Sequence, residues 1–142
     1  MRLADLIPIL QVAIGPVILI SGVGLVLLSM TNRYGRVIDR ARQLAEAARR
    51  GGAAEKPRFA GQLRILERRA HLLRASITLA TVSVLLAATL IITLFLGALR
   101  RWELGGEVAM LFIACLGSLI ASLITFLRDL NLSLAALKLE IE

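Results

Sequence analysis

The residues with the most reactive side chains are few and lie apart in the sequence. His71 is the only histidine, and Arg68, Arg69 and Arg74 near it carry charge that opposes a metal cation. Cys115 is the only cysteine and falls in an apolar run, so we interpret it as a small packing residue. Serines in the apolar runs have no histidine or carboxylate near them in sequence to act as a base. The sequence therefore predicts no catalytic site, metal site or cofactor, and we expect the protein not to be an enzyme.

Polar and helix-perturbing residues in the first apolar run, 6–30, indicate a different chemistry. Gln11 carries an amide, and Pro16 removes a backbone donor and leaves a carbonyl near position 12 without its helical partner. In hydrocarbon, such groups are unfavourable unless they meet a partner or water. Two interpretations remain open: proline and glycines permit close helix packing, or the helix lines a pathway. The candidate pore-lining residues are Gln11, Pro16, Ser21 and Ser29.

Charged residues follow this run directly and are candidates for the inner mouth of such a pathway. In a symmetric assembly each subunit would contribute them, and rings of positive charge favour anions over cations. The candidates are Arg33, Arg36, Asp39 and Arg40, with Asp39 offsetting part of the positive charge.

Small residues form two overlapping stripes in the third apolar run. Such stripes let helices approach closely, and two of them indicate more than one neighbour. We therefore expect a homo-oligomer. The candidate helix-packing residues are Ala114, Gly117, Ser118, Ala121 and Ser122.

Three charge-free runs, 6–30, 77–99 and 108–127, must position these residues. Each reaches the roughly 20 apolar residues that a helix needs to span a bilayer. The chain is 58% hydrophobic, above the range of about 45–50% for soluble domains. The first run is too long for the hydrophobic core of a signal peptide, about 7–15 residues. The sequence predicts an all-α integral membrane protein with three transmembrane helices.

The charge distribution predicts how the spans are oriented. Segment 31–76 holds twelve Arg or Lys against four acids, or +8, whereas the whole chain carries +7. In the connection 100–107, two arginines and two glutamates cancel. Because positive loops stay inside, we expect the N-terminus and the 100–107 turn outside and the C-terminus in the cytoplasm. Trp102 then lies where interfacial aromatic residues are common.

The basic segment 31–76 continues the helical pattern of the spans on both sides. Its apolar residues recur at three- and four-residue steps, and Gly51, Gly52 and Pro57 indicate a turn between two helices. The second helix has a heptad-like seam, as in coiled coils, formed by Phe59, Leu63, Leu66, Ala70, Leu73 and Ile77. We interpret the segment as a cytoplasmic helical hairpin that extends the first two spans.

The predicted organisation has four parts. Residues 1–30 form the outer N-terminus and first span, 31–76 the basic hairpin, and 77–127 the second and third spans with the turn 100–107. Residues 128–142 form a cytoplasmic amphipathic helix. We expect its apolar face to pack on the hairpin or on a neighbouring subunit. This face comprises Leu130, Leu134, Leu137 and Ile141.

The positive charge of the hairpin allows three interpretations. It could bind nucleic acid, contact anionic lipid, or form a solvated face that only sets the topology. Nucleic-acid binding benefits from exposed aromatic residues, yet Tyr34 and Phe59 both lie on the apolar faces. We therefore do not expect nucleic acid as a partner. Anionic headgroups fit better, at about 1 kcal/mol per charge close to the surface, and a solvated face remains the simplest reading.

The run from Pro16 to Arg42 resembles a family of small bacterial membrane proteins catalogued as domain of unknown function 2721. Its most specific part is 29–42, with Thr31-Asn32-Arg33 followed by the stretch Arg36-Val37-Ile38-Asp39-Arg40-Ala41-Arg42. The similarity covers nearly the whole chain. It implies a bacterial inner-membrane location and no established activity, and it carries over no catalytic or ligand residues.

These observations favour a homo-oligomeric inner-membrane protein that forms an ion channel or pore, with the first helix lining the pathway. The alternative is a non-enzymatic adaptor or structural protein whose basic helices dock a soluble partner or anionic lipid. The subunit number separates the two, because a closed ring of four or more subunits favours a pore.

Overall fold

The computed structural model describes residues 2–52 and 56–141, with side chains as far as Lys138. Helix α1 spans Leu3–Arg50, α2 spans Lys56–Arg100 and α3 spans Gly105–Ile141, and these described residues contain no strand. Each helix includes a stretch long and apolar enough to cross a membrane. The predicted all-α fold with three transmembrane helices is confirmed.

Helix α1 continues for 20 residues beyond Met30, so the first span and the first basic helix are one element. Pro8 and Pro16 both lie inside it. The helix ends at the predicted glycines, where the N–H of Gly51 donates to the carbonyl of Ala47 at 2.9 Å. Pro57 is the second residue of α2, where a helix tolerates a missing N–H.

The turn between α2 and α3 is shorter than the predicted 100–107, because α3 already begins at Gly105. Arg101 adopts a left-handed conformation with φ 54°, and the N–H of Trp102 donates to the carbonyl of Gly97 at 3.0 Å. This pattern is a Schellman cap, which satisfies a carbonyl at the end of α2. A Cβ at Gly97 would come within 3.1 Å of the Leu104 side chain, so glycine lets the turn fold back closely.

The chain divides into two compact units, each built from parts of all three helices. The apolar unit comprises residues 1–27 and 79–121, and the basic unit comprises 28–78 and 122–142. The apolar unit contains three basic and three acidic residues and is neutral. The basic unit contains fourteen basic and seven acidic residues, so it carries the entire net charge of +7.

Buried residues recur every seven positions along each helix. Seven residues make about two turns, so such residues share one face. The buried faces run through Pro16, Val23, Met30 and Val37 on α1, Leu66, Leu73, Ala80 and Ala87 on α2, and Cys115, Ser122 and Asp129 on α3.

In the apolar unit, α2 and α3 are joined by a reciprocal pair of hydrogen bonds. The Ser83 hydroxyl donates to the carbonyl of Cys115 at 3.0 Å, and the Cys115 thiol donates to the carbonyl of Ser83 at 3.2 Å. Both side chains are buried, together with Ala80 and Ala87 on the same side of α2. Small residues allow this close approach, as is common between membrane helices. Cys115 is therefore a packing residue, as predicted.

In the basic unit, Val37, Leu66 and Leu73 form a buried cluster, and Tyr34 and Phe126 pack against it. The predicted seam of α2 is the side of that helix that turns inward, because its members are buried or half-buried. The Ser122 hydroxyl donates to the carbonyl of Ser76 at 2.6 Å and joins α3 to α2.

The apolar face predicted for the C-terminal helix is covered only in part. Leu130 is half-buried, but Leu134 and Leu137 are 58% and 51% exposed, and the side chain of Ile141 lies outside the described ones. The hairpin therefore does not cover these two side chains. The inward side of this part of α3 instead carries Asp129 and the half-buried Ala136, one heptad apart.

Candidate functional site

Three of the four candidate pore-lining side chains, Gln11, Ser21 and Ser29, are exposed on α1. Gln11 and Ser29 are 18 residues apart, which is five turns at 3.6 residues per turn, so they share a helix face. Ser21 is eight residues from Ser29 and lies about 80° away on the same side. None of the three side chains has a hydrogen-bond partner within the part of the chain that the structure describes.

Pro16 lies on the opposite side of α1 and is buried. The structure therefore does not bring it together with the other three candidates. It lines an apolar cavity of about 560 Å³ within the apolar unit, together with residues such as Leu90 and Phe112 of the other helices. Gly15 lies at the edge of the same cavity, and a Cβ there would meet nothing within 4 Å.

The four candidate inner-mouth residues are in different environments. Arg36 and Asp39 are exposed, and Arg36 follows Ser29 by seven residues, which is about two turns. Arg40 lines a cavity of the basic unit. Arg33 is only half-exposed, because its side chain turns toward Asp129.

The candidate helix-packing stripe on α3 has an inward and an outward edge. Ser122 is buried and Ser118 and Ala121 are half-buried, whereas Ala114 and Gly117 are exposed. A Cβ added at Gly117 would meet nothing within 4 Å, so packing inside this chain does not require glycine there.

The most constrained charged group is Asp129, whose side chain is 0% exposed. Its Oδ2 accepts a hydrogen bond from Nε of Arg33 at 2.7 Å, and its Oδ1 accepts one from Nε of Arg69 at 3.2 Å. The arginine side chains keep 28% and 17% of their exposure. One carboxylate on α3 thus binds one arginine on α1 and one on α2. We call this group the charge clamp.

Burying an ion is favourable only when partners and hydrogen bonds compensate for lost hydration. In the charge clamp, both carboxylate oxygens are satisfied, and no described buried side-chain N or O atom lacks a hydrogen bond. The Arg33 guanidinium also lies 6.0 Å from the centre of the Phe126 ring, at the limit of a cation–π contact. The charge clamp thus joins the three helices at one level.

The remaining reactive residues stay dispersed. His71 is exposed on α2. Within residues 2–52 and 56–141, no three His, Cys, Asp or Glu side chains come close enough together to hold a metal ion.

Comparison with known proteins identifies the chain by family. A family model described as "Protein of unknown function (DUF2721)" matches residues 13–139, which is nearly the whole chain. The chain belongs to the DUF2721 family. The match covers all of α2, α1 from residue 13 onward and nearly all of α3, and it includes the three residues of the charge clamp. No curated protein matches the chain significantly, and no solved structure does.

Sequence reasoning about this DUF2721 chain missed Asp129. The residue lies two positions beyond the third charge-free run and reads as an ordinary acid at the start of a charged tail. One signal was available: Asp129 follows Cys115 and Ser122 at seven-residue steps, which puts it on the face of α3 that carries the small residues.

Proposed function

We propose that this protein is a subunit of a homo-oligomeric membrane pore whose pathway is lined by the outward face of α1. The observation that carries the proposal is the exposure of Gln11, Ser21 and Ser29 without a hydrogen-bond partner among the described residues. An unsatisfied polar group in hydrocarbon is unfavourable by several kcal/mol. Water in a shared pathway, or a second copy of the chain, removes this penalty.

Glycines on the same side of α1 let neighbouring copies of the helix come close around the pathway. Gly15 and Gly22 are exposed and seven residues apart, and Ser29 follows after seven more. A Cβ at either glycine would meet nothing within 4 Å, so the fold of one chain does not need them. Small residues at this spacing let helices of neighbouring subunits approach.

Beyond the span, the same side of α1 carries charge that would face the mouth of a pore. Arg36 is exposed and has no ion-pair partner among the described residues, and Asp39 is exposed one turn further on. Arg33 is bound to Asp129, so Arg36 is the stronger candidate for controlling selectivity. A ring of this residue favours anions.

Planar bilayers containing the purified protein should show discrete conductance with a preference for anions. Arg36→Glu should lower the anion-to-cation permeability ratio several-fold, because it reverses the ring of charge. Arg64→Glu is the matched control, since Arg64 is exposed on α2 and should leave the ratio unchanged. Silent bilayers containing protein that is inserted and oligomeric would overturn the pore proposal.

The proposal includes the bacterial inner membrane, with the N-terminus outside and the basic unit in the cytoplasm. The support is the charge difference between the two units, since loops rich in Arg and Lys remain on the cytoplasmic side. The apolar unit is neutral and the basic unit carries +7.

Thiol labelling in intact cells tests this orientation. A Gly105→Cys variant should react with a membrane-impermeant reagent, and a Gly52→Cys variant should not. Both positions are exposed, and a Cβ at either meets nothing within 4 Å. Cys115 is 1% exposed and is replaced by alanine to remove background. If only the Gly52→Cys variant reacted, the protein would have the opposite orientation to the one proposed.

A second function, a non-enzymatic membrane adaptor, is favoured by the basic unit itself. That unit has its own core and exposes Arg64, Arg68 and Arg74 along α2. Such a surface suits an acidic soluble partner or anionic headgroups, at about 1 kcal/mol per charge near a membrane. Particle mass in nanodiscs separates the two functions: four or more subunits support the pore, and a monomer or dimer supports the adaptor.

A further inference from the structure

The basic unit contains a cavity of about 640 Å³ that all three helices line. We call it the arginine pocket. Its size falls within the range of about 300–1,000 Å³ that is typical of small-molecule sites. Its polar wall consists of Arg40, Arg58, Arg69 and Gln62, and its apolar wall includes Leu44 and Ile65.

A smaller cavity of about 210 Å³ is lined by some of the same residues. Arg40, Leu66 and Arg69 line both cavities, and Arg33 and Arg36 line only the smaller one. Together the two cavities present five arginines, and no described aspartate or glutamate lines either of them.

The positive charge around these cavities is compensated only in part. Asp129 binds Arg33 and Arg69 and so offsets one charge, and Arg40 also has a partner. Arg36 and Arg58 have no ion-pair partner in the described part of the chain. Like charges held close together repel each other, and a bound anion would relieve that repulsion.

The start of α2 adds to the positive potential. The first backbone N–H groups of a helix and its dipole both favour an anion. The first turn of α2 holds no acidic residue, and Lys56 and Arg58 carry the unfavourable sign of charge there. Pro57 and Arg58 of this turn line the arginine pocket.

We propose that the arginine pocket binds a phosphate-bearing ligand. Arginine forms charge-assisted, often bidentate hydrogen bonds with phosphate oxygens. The apolar wall around Leu44 and Ile65 suits the uncharged part of such a ligand, for example a nucleoside or a glycerol backbone. The inference does not depend on the pore, because its test measures ligand binding and involves no conductance.

The phosphate could belong to a soluble compound or to a lipid headgroup. Which of the two reaches each cavity depends on how far that cavity lies from the bilayer along α1. Arg40 and Leu44 follow the first apolar run by 10 and 14 residues, or about 15–21 Å along α1 at 1.5 Å per residue. A soluble nucleotide reaches this level directly. A lipid headgroup reaches the smaller cavity more easily, since Arg33 follows the run by three residues, or about 5 Å.

Binding is measured on the full chain in two arms. In the first, the protein in phosphatidylcholine nanodiscs is titrated with ATP and with inorganic pyrophosphate by calorimetry. In the second, native mass spectrometry counts phosphatidylglycerol retained from mixed nanodiscs without added phosphate. Saturable binding in the first arm assigns a soluble ligand, and stoichiometric retention in the second assigns a headgroup. Absence of both would overturn the proposal.

In whichever of the two experiments shows binding, Arg58→Glu should weaken the affinity at least tenfold, which is about 1.4 kcal/mol. The side chain is exposed, so its replacement leaves the fold intact, as an unchanged melting temperature would verify. Arg64→Glu makes the same charge change on the same helix but lines neither cavity, and it should leave affinity within about twofold. Equal losses in both variants, or no loss in Arg58→Glu, would mean that the pocket is not the site.

Discussion

Asp129→Asn should lower the free energy of unfolding by about 3 kcal/mol, the largest effect that we expect from any single substitution of a charged residue. Removing one partner of a buried ion pair typically destabilises by about 3–5 kcal/mol, because the other charge stays buried and unpaired. Asn keeps the shape of the 0%-exposed side chain and removes its charge. The lower end of that range applies, since Arg33 and Arg69 keep some exposure to water.

Unfolding in mixed micelles of SDS and a mild detergent measures this difference. The exposed pair of Glu46 and Arg50, at 2.9 Å, provides the control. Glu46→Gln should change stability by less than about 1 kcal/mol, because a solvated i,i+4 pair contributes little. If Asp129→Asn lowered the free energy of unfolding no more than Glu46→Gln does, the charge clamp would have no structural role.

An apolar replacement of the whole clamp separates charge pairing from packing. A triple variant with Asp129→Leu, Arg33→Met and Arg69→Met removes all three charges and retains much of the volume. Buried ion groups replaced in this way are often as stable as the original. We expect the triple variant to recover most of the stability that Asp129→Asn loses. If the triple variant lost more unfolding free energy than Asp129→Asn, the arginines would stabilise the basic unit through other contacts.

The helices were predictable from the sequence because the membrane imposes strong constraints on length and backbone hydrogen bonding. A charge-free run of about 20 residues leaves few alternatives to a transmembrane helix. The continuation of α1 to Arg50 was also predictable, because apolar residues keep helical spacing past Met30 until Gly51 and Gly52. Boundaries at the second turn were less accurate, since residues 105–107 lack a strong apolar signal yet already belong to α3.

The choice of inward-facing residues was harder to predict. In α3, the small residues Ala114 and Ser122 belong to one sequence stripe, but only Ser122 is buried. In α2, the inward position of four small residues was not predictable, because large apolar residues surround them in the sequence. These buried residues are Ser76, Ala80, Ser83 and Ala87. In a membrane, lipid is as apolar as the protein core, so hydrophobicity does not distinguish residues that face inward from residues that face lipid. Small size and polarity are the informative signals instead.

The charge clamp was out of reach for a related reason. Its members are separated by 96 and 60 residues, so helical spacing says nothing about their contact. Arg33 belongs to a row of similar arginines, and only the tertiary structure selects it and Arg69 as partners of Asp129. The sequence could indicate that a basic unit exists, whereas its internal pairing depends on how three helices align.

Ala80→Phe should destabilise the apolar unit by about 1–3 kcal/mol or more. Ala80 is 0% exposed and lies one turn from Ser83, whose hydrogen bonds with Cys115 join α2 to α3. A ring inserted there forces the two helices apart, and overpacking of a close-packed site typically has effects of this size. Separation would also break the Ser83–Cys115 pair, so the loss should exceed the steric effect alone.

Ala114→Phe makes the same change at an exposed alanine of α3 and serves as the control. It should leave the unfolding of a single chain unchanged, because one chain leaves its side chain open to lipid.

Particle mass in nanodiscs then gives a second readout from the same pair of variants. If copies of the chain pack through the outward edge of the α3 stripe, Ala114→Phe lowers the oligomer mass while stability in monomer-forming detergent stays constant. Ala80→Phe, by contrast, lowers stability in both conditions, because it acts inside the subunit. Equal stability of Ala80→Phe and the unmodified chain would contradict the close α2–α3 contact.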